Sequence, residues 1–149
     1  MAINLKSLSK PEGQRPIIAT LFGEGGMGKT TLASMFPKPV FIRTEDGTAS
    51  LVGNDNVSLF PLATSSQDVL DAIEALATEK HDHKTLVIDS ITQLATQIET
   101  EIVESDSKAK SISQAGGGYG AGYGQASERH AQIREWAGSL AYEMNMNVV

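Results

Sequence analysis

The sequence predicts an α/β fold in three layers, a mostly parallel central sheet flanked by helices, and three observations carry that prediction. Short apolar or β-branched runs alternate with stretches of helical periodicity along the chain. The first run opens onto a glycine-rich turn that leads straight into a helix, and a later one stops abruptly at Asp89. Strands joined in this way lie parallel through right-handed crossovers, with ligands gathered at their carboxyl ends.

Residues 1–16 are polar and broken by Ser, Pro and Gly, which predicts a flexible lead-in ahead of a domain over 17–149. Residues 17–22 (IIATLF) form a continuous apolar run ended by glycine, as expected of a strand buried on both faces. A helix over 29–36 follows the turn and stops before Pro37 and Pro39, because proline disfavours helical geometry in the residue preceding it. Val40, Phe41 and Ile42 give a second strand, and 57–62 a third apolar piece. Ser65 or Ser66 can cap the next helix, which places Val69, Leu70, Ile73, Leu76 and Ala77 on one face. The polar stretch 79–84 closes it. After the strand over 85–88, a further helix buries Ile91, Leu94, Ile98 and Ile102. Residues 105–124 lose all periodicity in a mixture of Ser, Lys, Gln and Gly, and predict a long loop. Helical spacing returns over 125–144 through Ile133, Trp136, Leu140 and Met144, before a last apolar pair, Val148 and Val149.

With 149 residues the chain suits one domain, burying roughly 70% of its unfolded surface. No apolar run approaches the ~20 residues that span a bilayer, and residues 1–16 lack the apolar core expected of a secretory signal. The absence of cysteine excludes disulfides and thiolate metal sites and fits a reducing compartment, the cytoplasm. A net charge of −6 argues against non-specific polyanion binding, which needs clustered Lys and Arg. Any nucleic-acid contact is therefore expected to be local.

Gly23, Glu24, Gly25, Gly26, Met27, Gly28, Lys29 and Thr30 match the pattern G-x-x-x-x-G-K-[ST] at every fixed position, between an expected strand and an expected helix. Such a loop is a phosphate cradle. Glycines let the backbone curl with several N–H groups pointing inward, and the helix N-terminus adds partial positive charge. Lys29 is expected to reach the β- and γ-phosphates of ATP, and the Thr30 hydroxyl to ligate a Mg²⁺ bridging them. Thr31, next in line, is expected to pack or cap. Asp89, at the end of its strand, is expected to hold Mg²⁺ through water opposite Thr30, although Asp is also a common helix cap. Hydrolysis further needs a group that orients or deprotonates a water. Glu45, beyond the second strand, is the choice for that role, with Asp46 as its rival and a solvated turn before Gly47 as the plain alternative.

On these residues the chain resembles the ATPase core of the RecA-like recombinases, especially the phage-encoded AAA-type nucleotide-binding proteins related to them. Gly28, Lys29, Thr30, Thr31 and Leu32 are similar to that family's phosphate loop. The run Phe41, Ile42, Arg43, Thr44, Glu45 resembles the strand ending in its catalytic glutamate, and the run Leu86, Val87, Ile88, Asp89, Ser90 its Mg²⁺-site strand. Residues 125–149 resemble the helix leading into its central sensor strand. The resemblance implies a role in DNA recombination or repair, ATP sites completed by a neighbouring copy in a homo-oligomer, and a host-cytoplasmic location if phage-encoded. In that family the last strand lies between the phosphate-loop strand and the Asp89 strand and runs on to a polar sensor residue and a second DNA-binding loop. This sequence ends at Val149, so a domain incomplete at its C-terminus is expected.

The glycine-rich stretch with Tyr119 and Tyr123 lies where the resemblance implies the first DNA-contacting loop. Two tyrosines could stack on single-stranded bases, with Lys108 and Lys110 supplying charge; a solvated linker and a nucleotide-ordered lid are the alternatives. His81, Asp82 and His83 are expected to be a polar turn rather than a metal site, and Trp136 a core residue rather than a base-stacking one. Arg129 and Arg134 receive no role. The favoured function is a DNA-dependent ATPase of phage recombination or repair. A nucleotide-gated assembly module without significant hydrolysis and a P-loop phosphotransferase are the alternatives.

Overall fold

In the computed structural model, which describes residues 5–10, 13 and 15–149, β-branched and aromatic side chains extend Pro39–Arg43 as strand β1 with core on both sides. Strands β2 (Ser58–Leu59), β3 (Thr85–Asp89) and β4 (Asn147–Val148) complete a parallel sheet in the order β2-β1-β3-β4. β1 and β3 run in register from Pro39 opposite Thr85 to Arg43 opposite Asp89, so both deliver their last residues to one edge. Side-chain alternation along these strands sorts the core into two. Val40, Ile42 and Leu86 pack with the helices α2 (Ser66–Thr78), α3 (Ile91–Ser105) and α4 (Ala121–Glu143). Phe41 and Val87 face the other way, toward Ala33 of the short helix α1 (Lys29–Ser34) and Leu51. The result is three layers.

Capping fixes where α2 begins. The Ser65 hydroxyl accepts from the Asp68 N–H, and Asp68 Oδ2 accepts from the Ser65 N–H at 2.9 Å, so two orphan amides satisfy each other's caps. One helix over, Glu101 accepts from both the N–H and the hydroxyl of the fully buried Ser66, at 2.6 and 2.5 Å, which ties α3 to the start of α2. Ser90 caps α3 by accepting from the Gln93 N–H.

Several expectations need correction. Residues 17–22 are not a strand buried on both faces: Ile18 makes a single parallel bridge to Val148, Ile18 is 56% exposed and Phe22 fully so. The segment sits at the edge of the sheet beside β4, where one side has no strand among the described residues to cover it. β4 does lie between this segment and β3, as the resemblance implied. Helix α1 stops at Ser34, two residues earlier than expected, with Met35 as its cap. On α2 the inward alanine is Ala72 and not Ala77, and at helix ends Ile91 is 49% and Met144 38% exposed, so neither is a core residue. The loop expected over 105–124 is shorter, because α4 already starts at Ala121 and a 3-10 turn occupies Ala115–Gly117. Gly122 faces inward there: a Cβ on it would stand 2.2 Å from the Ile112 carbonyl oxygen, so the helix approaches the preceding loop too closely for any side chain. The expected flexible lead-in over 1–16 lies partly outside the described residues. Among the described residues no helix is long and apolar enough to cross a membrane.

Candidate functional site

The loop between residue 22 and α1 takes its shape from two left-handed glycines. Gly26 has φ 78° and Gly28 φ 84°. An added Cβ at Gly28 would meet nothing within 4 Å, so glycine is required there by the dihedral angle and not by crowding. The Leu32 N–H donates to the Gly28 carbonyl at 2.8 Å and starts the helix. Lys29 folds back over the loop, its Nζ donating to the carbonyls of Gly23 and Glu24 at 2.7 and 2.8 Å. Glu24, Gly25, Met27 and Thr31 are exposed; Thr31 does not pack inward, and its carbonyl accepts from the Ser34 hydroxyl.

Across the cleft stand the ends of β1 and β3. The Thr30 hydroxyl donates to Asp89 Oδ2 at 2.7 Å, which joins the phosphate-loop helix to the end of β3 across 59 residues of sequence. Glu45, two residues beyond β1, is exposed and lines the same cleft of about 650 Å³ as Gly23, Lys29, Thr30 and Asp89, a size suited to a small ligand. Its rival Asp46 pairs with Arg43 Nη1 at 3.8 Å and is not among the residues that line the cleft. The two candidate carboxylates are therefore distinguished by which of them lines the cleft.

Sequence reasoning assigned no role to Thr44, the residue before Glu45. Thr44 is 4% exposed, and its N–H donates to the Asp89 carbonyl at 2.9 Å. The Thr44 hydroxyl donates to the Ser90 carbonyl at 2.8 Å and accepts from the Ser90 N–H at 2.9 Å. The Asp89–Ser90 peptide is cis. Only the parallel register, with Arg43 opposite Asp89, could have pointed to Thr44, since a lone threonine carries no pattern of its own. Thr20 and Gln93 also line the cleft and were not singled out.

The weaker signals separate cleanly. His81 Nε2 donates to the Leu76 carbonyl at 2.8 Å and its Nδ1 accepts from the His83 N–H, while Asp82 pairs with Lys38. That is a polar turn, as expected. The lysine beside it holds the Asp82 carboxyl below the ordinary carboxylate range. Trp136 packs against the main core. Arg129 donates to Gln132 on its own helix, Tyr119 is fully exposed and Tyr123 half exposed.

A parallel sheet, a glycine loop feeding a helix, and a lysine and threonine opposite a strand-end aspartate are the parts of a P-loop nucleoside triphosphatase. The family model described as AAA domain matches residues 15–149. The chain belongs to this AAA domain family. No curated protein matches it. As an AAA domain it is a nucleotide-binding module, and the cleft above the glycine loop gathers one lysine, backbone amides, a hydroxyl and a carboxylate, groups whose chemistry suits phosphate and a hard cation.

Proposed function

We propose that this AAA domain binds ATP with Mg²⁺ and hydrolyses it, in the manner of RecA-like recombinases, with single-stranded DNA as the stimulus. The observation that carries the reading is the 2.7 Å contact between Thr30 Oγ1 and Asp89 Oδ2 beneath a cleft that Lys29 and Glu45 also line. Two hard oxygen donors from different elements, meeting beside a phosphate loop, fit the needs of Mg²⁺. Bound there, the ion would neutralise charge between phosphate oxygens. Lys29 and the amides of 23–28 would hold the phosphates, exchanging the lysine's bonds to Gly23 and Glu24 for bonds to phosphate oxygen. Glu45 would orient or deprotonate the attacking water, a contribution of about 10²- to 10⁴-fold. Tyr119 and Tyr123, both exposed, would stack on bases of single-stranded DNA, with Lys108 and Lys110 earlier in the chain supplying charge.

ATP turnover measured with and without single-stranded DNA tests this. DNA is expected to raise turnover, and Glu45→Gln to reduce it by at least about 10²-fold while nucleotide still binds. Unchanged turnover in Glu45→Gln overturns the assignment of the base.

A second reading, a nucleotide-gated assembly module that scarcely hydrolyses, is favoured by the apolar side chains beside the loop. Phe22 is fully exposed and Met27 and Met35 are about three-quarters exposed, more apolar surface than a phosphate site needs. Negligible turnover together with nucleotide-dependent oligomerisation, read by sedimentation, would select it.

A further inference from the structure

We infer that Thr44 is a positioning residue that sets Glu45 against Asp89, an inference that rests on the proposed hydrolytic role of Glu45. Glu45 is exposed and sits past the end of β1, so something must fix where its carboxylate starts from. Asp89 is the last residue of β3. Thr44 lies between the two in contact terms, and every polar group it has is engaged. Its N–H goes to the Asp89 carbonyl, and its hydroxyl both donates to the Ser90 carbonyl and accepts from the Ser90 N–H. Its own carbonyl accepts from Gln97 Nε2 of α3 at 3.3 Å, and the same amide nitrogen donates to the Ala63 carbonyl at 3.0 Å.

Three of these four bonds go to the Asp89–Ser90 junction, which carries the cation ligand at one end and the cap of α3 at the other. The backbone N–H bond alone would leave Thr44 as an ordinary extension of the β1–β3 ladder. The hydroxyl makes the difference, because it grips Ser90 by both backbone groups and so fixes the orientation of the strand end on which Asp89 stands. The carboxylate one residue later on the β1 side thereby starts from a defined place relative to Asp89 and Thr30. In a hydrolytic site that relation decides whether a water held by Glu45 lies in line, and a displacement of about 1 Å costs on the order of 10²-fold in rate.

The experiment compares the unsubstituted chain with Thr44→Val, Thr44→Ser and Glu45→Gln, measuring kcat and KM for ATP with single-stranded DNA, equilibrium nucleotide affinity, and thermal melting. Thr44→Val keeps the shape and removes the hydroxyl. It is expected to lower kcat by about 10- to 100-fold, with nucleotide affinity held within about twofold, and Thr44→Ser to restore kcat to within about threefold. If Thr44→Val turns over normally while Glu45→Gln does not, the positioning role is wrong and the reading of Glu45 stands. If kcat and affinity fall together with the melting temperature and Thr44→Ser rescues none of them, Thr44 is only a packing residue. Full turnover in Glu45→Gln, or none in the unsubstituted chain, removes the hydrolytic reading itself and this inference with it.

Discussion

Along one wall of the cleft, Asp89 and Ser90 are locked by hydrogen bonds to the buried Thr44 behind them on the neighbouring parallel strand, above a core in which Ile42 and Leu86 are fully buried. The facing wall, 23–28, is four glycines with the exposed side chains of Glu24 and Met27 between them, shaped by the left-handed Gly26 and Gly28 and held by the lysine's bonds to the loop's own carbonyls. The carboxylate wall is thus shaped by tertiary packing and the phosphate wall by local dihedral angles. If the loop binds nucleotide as proposed, stability and ligand affinity fall to different residues in this domain, and substitutions should pull the two apart.

The largest effect is expected on the packed wall. Ile42→Ala should lower unfolding free energy by about 2–5 kcal/mol in denaturant titrations, because it empties a site with no solvent access. Nucleotide affinity of the molecules that remain folded should hardly change; a parallel loss of affinity would break the contrast. Next comes the opposite wall. Lys29→Ala should weaken ATP binding by about 1.5–3 kcal/mol, the value of a charged hydrogen bond, in a fluorescent-nucleotide titration. Melting without nucleotide should stay near that of the unsubstituted chain, since the hydrogen bonds of the Lys29 ammonium go to carbonyls of its own loop.

The smallest effect concerns the start of α2, away from both walls. The backbone N–H of Thr64 outweighs the opposing effect of burial and, with further bonds from Ser65 and the Thr64 hydroxyl, holds the Asp68 carboxyl below its ordinary value of 3.8. A carboxylate with a depressed folded pKa stabilises the fold above the unfolded value and loses that contribution as pH falls through the folded one. Asp68→Asn should therefore cost stability near neutral pH and progressively less below 3.8, while Ser65→Ala costs about 1 kcal/mol of cap throughout. A pH-independent penalty for Asp68→Asn would show that the charge is not what holds the box.

What was legible in the sequence follows the same division. The phosphate loop is a local object whose requirements fall on consecutive residues, so Gly23 to Thr30 announce it. Asp89 was legible because an apolar run ends there, and the faces of α2 and α3 because helical spacing repeats. Thr44 was not legible as a contact, since its partners lie 45 and 46 residues away and depend on strand register. Residues 17–22 misled because an apolar run says nothing about whether a neighbour covers it; among the described residues Ile18 is bridged on one side alone, to Val148. The helix at Ala121 was hidden by Gly122 and Gly124, whose low helical propensity is overridden where Gly122 packs against Ile112.

That last contact changes how the tyrosine-bearing bend would meet any binding partner. Gly122 is seated against the Ile112 carbonyl, the Gly116 N–H is tied to Asp106, and the Gly120 N–H to the Ser113 carbonyl, so a stretch that looks slack is pinned at three points. Tyr119 is thereby presented outward on a fixed mount. A flat aromatic guest arriving there would freeze little additional chain motion, because that freedom is already lost when the domain folds, and even a methyl group at position 122 would loosen the mount before touching the guest.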